Sequence, residues 1–157
     1  MHNVEHATSA NAYRERLSPS LWLLVSAAVC APMAAIVFVP VDQTLALAIG
    51  LAVGVAIVVA LIGSAPVVSI SGDELRVGRA RIPLAVLGEP ESLTGEEARA
   101  ARGRDLGRDD WHLLRGGIDG VVRIAVKDEN DPTTRWVFSS RTPERVAAII
   151  TRAQRGR

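Results

Sequence analysis

Residues 21–62 read LWLLVSAAVCAPMAAIVFVPVDQTLALAIGLAVGVAIVVALI. Two almost wholly apolar runs, Leu21–Val39 and Leu45–Ile62, flank the joint Pro40-Val41-Asp42-Gln43-Thr44. As helices, runs of 19 and 18 residues span roughly 28 and 27 Å, close to the ~30 Å hydrocarbon core of a bilayer. Among the 56 residues between Arg16 and Asp73, Asp42 alone is charged. The expected organisation is a two-helix transmembrane hairpin over residues 21–63, preceded by an N-terminal cytoplasmic tail over 1–20 and followed by a cytoplasmic α+β domain over 67–155.

Whole-chain averages conceal this segregation. A content of 48% hydrophobic and 22% charged residues would suit a soluble protein. The stretch Pro66–Arg157, however, holds 16 of the 18 basic and 14 of the 17 acidic residues. It is long enough for one small domain with a modest core. Its small positive balance gives no case for nucleic acid as a partner. The single cysteine, Cys30, excludes an internal disulfide. A lipoprotein signal ending at Cys30 is disfavoured by the preceding Ala27-Ala28-Val29. A cleaved secretory signal is disfavoured because the first run exceeds the 7–15 residues of a signal core.

Basic residues set the expected topology. The joint between the runs has none, whereas Arg14 and Arg16 precede the hairpin and Arg76, Arg79 and Arg81 follow it. The positive-inside rule then places both termini in the cytoplasm and Asp42 outside. Neither run contains Asp, Glu, Lys, Arg or His. Ion and proton pathways usually need such groups, so the hairpin reads as an anchor or a subunit. Pro32 falls within the first run, where loss of a backbone bond predicts a kink. Gly50 and Gly54 form a small-residue stripe, extended back by Ala46, and Ala27-Ala31-Ala35 answers it in the first run. Such stripes let helix backbones approach, here within the hairpin or across a homodimer.

Beyond Gly63-Ser64-Ala65-Pro66 the pattern changes to period two. Val68 and Ile70 alternate with serines, Leu75 and Val77 with Glu74 and Arg76, and Ala80, Ile82, Leu84 and Val86 with Arg79, Arg81, Pro83 and Ala85. This predicts a half-buried antiparallel meander, with a turn at Ser71-Gly72-Asp73. Glu89-Pro90 predicts a break. Thr94-Gly95-Glu96-Glu97 has capping-box spacing and predicts a helix over Glu96–Arg102. Strands are expected at Trp111–Leu114, Val121–Lys127 and Arg135–Ser139, the last with Trp136 and Phe138 on one face. Thr142, Pro143 and Glu144 open a final helix with the apolar stripe Val146, Ile149, Ile150 and Ala153. The layout resembles bacterial pleckstrin-homology-like membrane proteins, and a generic α+β domain fits equally.

Candidate chemistry is sparse. Asp128-Glu129-Asn130-Asp131 lacks the alternating ligands and central Gly of a calcium loop and reads as a turn. His2 and His6 lie in the tail, and His112 has no Cys or second His nearby in sequence, so no metal site is expected. Ser139-Ser140-Arg141 lacks a nucleophile elbow. No phosphate-binding Gly-rich loop is present, and no cofactor is expected. Arg76, Arg79 and Arg81 lie close after the second run, on strands whose other face is apolar. They are the candidate surface for anionic lipid headgroups.

Two terminal blocks carry a family resemblance. Tyr13-x-Glu15-Arg16-Leu17 with Pro19 and Trp22, then Asp131-Pro132-Thr133-x-x-Trp136 and Ser140-Arg141-x-Pro143, resemble an actinobacterial family of small membrane proteins, domain of unknown function 3093. Gly72, Leu75, Gly78 and Ile82-Pro83 agree with it. Arg135, where that family suggests an aromatic residue, and Glu129, where it suggests Pro, depart from it. The resemblance implies a plasma-membrane location and no reaction, and supplies no catalytic residues. Within its blocks, Asp131, Trp136 and Arg141 are the candidates for a lipid or partner surface. The expectation is a non-enzymatic, membrane-anchored module that binds lipid headgroups or a protein partner. A membrane-surface enzyme acting on lipid and a small subunit of a larger membrane complex are the alternatives.

Overall fold

The computed structural model describes residues 11–156. The first ten residues, with His2 and His6, lie outside the described residues. The chain forms two compact units: Ser18–Ala65, and the residues up to Leu17 taken together with Pro66–Arg157.

The first unit is the helical hairpin. Helix α1 spans Leu21–Phe38 and α2 spans Gln43–Gly63. Ser20 Oγ accepts the Leu23 amide at 3.3 Å and Asp42 Oδ1 accepts the Leu45 amide at 2.8 Å. The lone charge of the apolar region is thus the N-cap of α2, satisfying a donor that the helix itself cannot. Pro32 lies inside α1. The seam is built from small residues. A Cβ on Gly50 would lie 2.8 Å from the Cβ of Ala35 and 3.1 Å from the Ala31 carbonyl oxygen, and one on Gly54 would lie 3.0 Å from the Ala31 Cβ. Gly50 and Gly54 therefore face α1, and their stripe packs within the hairpin.

The second unit is α+β. Its strands are β1 (Asn11–Arg16), β2 (Val67–Ser71), β3 (Glu74–Val77), β4 (Ala80–Pro83), β5 (Leu87–Leu93), β6 (Trp111–Leu113), β7 (Val121–Val126) and β8 (Arg135–Ser139). Helix α3 spans Gly95–Arg102 and α4 spans Pro143–Arg155. Two four-stranded sheets result, sheet A in the order β1-β2-β3-β4 and sheet B in the order β5-β7-β8-β6. Gly72 and Gly78 supply the positive φ (54° and 62°) for two tight loops of sheet A. The next residues, Asp73 and Arg79, keep negative φ, as in II′ turns.

Four local expectations are corrected. Residues 11–16 are not tail: they form β1, which pairs antiparallel with β2. Glu15 interrupts the inward apolar positions Tyr13 and Leu17, which hides the strand from a hydrophobicity pattern. The period-two run after Ala80 ends at Pro83, and a 3₁₀ turn over Leu84–Val86 carries the chain to sheet B. Glu89-Pro90 does not break the chain. It lies in β5, an edge strand of sheet B whose register shifts between Leu87 and Pro90, and edge strands and bulges are where a sheet tolerates proline. Finally, the sheets are not wholly antiparallel, because β6 pairs parallel with β8.

Burial explains the strand patterns. The main core joins Tyr13, Leu17, Val68, Ile70, Leu75, Val77 and Ile82 of the sheet A side to Val122, Ile124, Trp136 and Phe138 of sheet B, with Val146 and Ile150 of α4. A second, smaller core joins Ala98 and Ala101 of α3 to Val121 and Val137 on the other face of sheet B. Sheet B is thus covered on both faces and β8 reads as a continuous apolar run, whereas sheet A alternates. Gly120 serves close packing at the start of α4: a Cβ there would strike the Ser140 carbonyl oxygen and the Pro143 ring. Gly50→Ile is expected to lower the thermal unfolding midpoint of the helical signal in mild detergent, because the side chain meets Ala35. Ala52→Ile, at an exposed position of α2, should leave it unchanged.

Candidate functional site

Sheet A is one-sided, so its strands send alternate residues to an open face. Register pairs align Arg14 with Ser69, Ser69 with Arg76, and Arg76 with Arg81. These four positions form one row across all four strands, about 14 Å long at the usual strand spacing. Arg14, Arg76 and Arg81 are exposed. Arg16 lies two residues along β1 and so on the same face. Arg79 lies in the β3–β4 turn. Among the described residues no ion pair joins Arg76 or Arg81 to a carboxylate; the Arg76 Nε–H donates to the Gly78 carbonyl at 3.2 Å. Arg76 and Arg81 are therefore directly opposed, Arg79 lies in the turn that joins their strands, and β1 adds two arginines that sequence reasoning assigned to a tail.

The terminal blocks also meet. The Glu15 carboxylate is the centre of a clasp between β1 and the corner joining β8 to α4. Its Oε2 accepts from the Tyr13 hydroxyl at 2.8 Å and the Ser140 hydroxyl at 2.6 Å, and its Oε1 accepts from the Arg141 amide at 2.8 Å. The Tyr13 proton is committed to Glu15, so the Thr142 hydroxyl, 2.8 Å away, donates to the phenol oxygen. The Thr142 amide donates to Ser140 Oγ at 3.1 Å, and the Arg141 guanidinium donates to the Arg16 carbonyl at 3.1 Å. Burial, reinforced by the neighbouring carboxylate, pushes the Tyr13 phenol above its usual range. The Thr142 side chain does not cap α4, because it serves this network instead. Thr94 likewise precedes α3 with no side-chain capping bond.

Sheet B carries a second polar fixture. Arg135 holds Asp110 with two bonds, Nε–H to Oδ1 at 3.0 Å and Nη2–H to Oδ2 at 2.8 Å. The Asp110 side chain is 1% exposed and the Arg135 side chain 32%. Burial pushes the Asp110 carboxyl up, but the Arg135 and Gly107 hydrogen bonds and the nearby guanidinium charges outweigh it. The carboxyl is held below the usual carboxylate range. Arg135 in turn rises, chiefly through its bond to Asp110.

The remaining candidates do not converge. Trp136 is buried and stacks on Trp111 with ring centroids 4.1 Å apart. Asp131 Oδ1 accepts the Thr133 amide at 2.8 Å, and Asp128 Oδ1 accepts the Asn130 amide at 3.0 Å, both turn roles. Asp131 precedes β8 and Arg141 follows it, so the whole five-residue strand lies between them. Ser139 Oγ is buried and accepts the Arg115 amide at 2.9 Å. His112 is exposed on β6.

The family model for "Protein of unknown function (DUF3093)" matches residues 12–150. The chain belongs to this family. The match begins within β1 and ends in α4, so it takes in both sides of the Glu15 clasp and the whole hairpin between them. Comparisons with curated proteins and with solved structures find no match.

Two outcomes follow for this DUF3093 protein. Glu15→Ala strands three donors and should cost about 2 kcal/mol, read as a lower unfolding midpoint of the full chain in detergent. Asp110→Asn should cost a similar amount at neutral pH. A carboxyl depressed in the folded state stabilises above its unfolded pKa of about 3.9, and that contribution is lost as pH falls through the folded value. The gap between wild type and Asp110→Asn should therefore close below about pH 4, followed by the near-ultraviolet dichroism of the Trp111–Trp136 pair.

Proposed function

We propose that this chain is an integral membrane protein in which α1 and α2 cross the bilayer, both termini are cytoplasmic, and the α+β unit is a non-enzymatic binding module held at the inner leaflet. The pairing of β1 with β2 carries the reading. The strand before the hairpin and the strand after it are antiparallel neighbours, and the Leu17 amide donates to the Pro66 carbonyl at 2.9 Å. A chain that leaves one sheet and returns to that same sheet must cross a bilayer an even number of times. Two apolar helices in between meet that condition.

Exposure supports insertion. The apolar windows of α1 and α2 are 6% and 11% buried, unlike core helices of a soluble fold. Every large hydrophobic side chain that is exposed among the described residues lies between Leu21 and Ile62. A cleaved signal is disfavoured, since cleavage after α1 would remove β1 and the Glu15 clasp. The arginines on both sides of the hairpin, and their absence from its joint, favour the cytoplasmic side for the α+β unit. The connecting segments, Ser18-Pro19-Ser20 and Ser64-Ala65, are too short for the unit to leave the membrane. Two sheets closed by a C-terminal helix support a pleckstrin-homology-like arrangement. Alkaline phosphatase fused after Arg157 should be inactive, and the same enzyme inserted beside Asp42 should be active; an active C-terminal fusion would overturn the topology.

A further inference from the structure

We propose that the open face of sheet A is a binding site for the phosphodiester headgroups of anionic phospholipid. It rests on the membrane reading above, and specifies what the module binds. Three observations lead to it.

The first is the row itself. Like charges set directly opposite on neighbouring strands repel, yet Arg76 and Arg81 are opposed with one strand on the far side of Arg76 carrying Ser69 and the next Arg14. No ion pair relieves Arg76 or Arg81 among the described residues. An external anion would relieve the repulsion. The second is the polarity of the face along the strands. Arg16 lies beside Leu17, where the chain leaves for α1, and its register partner Val67 follows Pro66, where it returns. Arg79, in the β3–β4 turn, is at that same end. The acids Asp73 and Glu74 lie at the β2–β3 turn, the opposite end. The positive end is thus the one from which both connections to the apolar helices run. The third is chemistry. A guanidinium offers a planar fork that matches two phosphate oxygens, and strand spacing sets neighbouring forks within reach of adjacent headgroups. Sheet A's opposite face is committed to the core, so these side chains have no inward alternative.

The test uses the full chain, purified in mild detergent and mixed with equal phosphatidylglycerol and phosphatidylcholine, with bound lipid counted by native mass spectrometry. Phosphatidylglycerol adducts should predominate. Arg14→Gln with Arg76→Gln and Arg81→Gln should weaken phosphatidylglycerol binding by roughly a hundredfold, taking one basic side chain at a time as additive. The corresponding three Lys substitutions, which keep the charge but lose the fork, should retain only part of the preference. Near-ultraviolet dichroism of the Trp111–Trp136 pair checks that each variant is folded. Equal adducts on the native chain, or a Gln variant that is folded and keeps the preference, would overturn the site. So would a stoichiometric protein retained through these arginines with no lipid preference. Micelles impose no sidedness, so failure here leaves the membrane topology standing, and failure of the fusion experiment leaves this result interpretable.

Discussion

The apolar hairpin is an insertion between two hydrogen-bonded neighbours, β1 and β2, and the rest of the molecule answers to that constraint. Closing a long connection costs conformational entropy that grows slowly with length. The helices reduce it by packing on each other through Gly50, Gly54, Ala31 and Ala35, so the chain returns close to where it left. The α+β unit completes the closure. Glu15 binds β1 to the Ser140–Thr142 corner more than a hundred residues away, while Tyr13 and Leu17 enter the main core. β1 is therefore held by three kinds of interaction: the ladder to β2, apolar burial and a carboxylate network.

The two sheets have different neighbours. Sheet B is covered by the main core on one side and by α3 on the other. Its polar fixture, Asp110–Arg135, satisfies a nearly buried carboxylate and so serves packing. Sheet A has one free face. The charges there are not needed to solubilise an alternating strand, since Ser69 and Ser71 would serve. Arg14, Arg16, Arg76 and Arg81 are exposed there, with Glu74 at the far end of the same face, whereas on α3 Glu96 pairs with Arg99.

Much of the architecture was legible locally. The apolar runs, the period-two stretches and the α4 stripe each depend on residues a few positions apart, and all reappear in the structure. The misreadings share a cause. Glu15 and the Glu89-Pro90 pair look like breaks because their compensation is remote or needs a partner strand: Ser140, Tyr13 and the Arg141 amide in one case, the bulge against β7 in the other. Trp136, Asp131 and Arg141 were gathered as candidates by proximity in sequence, yet a strand separates two of them and the core takes the third.

The sequence by itself determined the segregation of charge, the two spanning-length helices and the amphipathic elements that follow, because hydropathy and backbone propensity act over a few residues. Only the tertiary structure decided that Arg14 and Arg16 share the open face of sheet A with Arg76 and Arg81, since strand register is set by cross-strand hydrogen bonds between segments some fifty residues apart. It also decided that Gly50 and Gly54 face α1, because only a neighbouring helix determines which face of a small-residue stripe is covered.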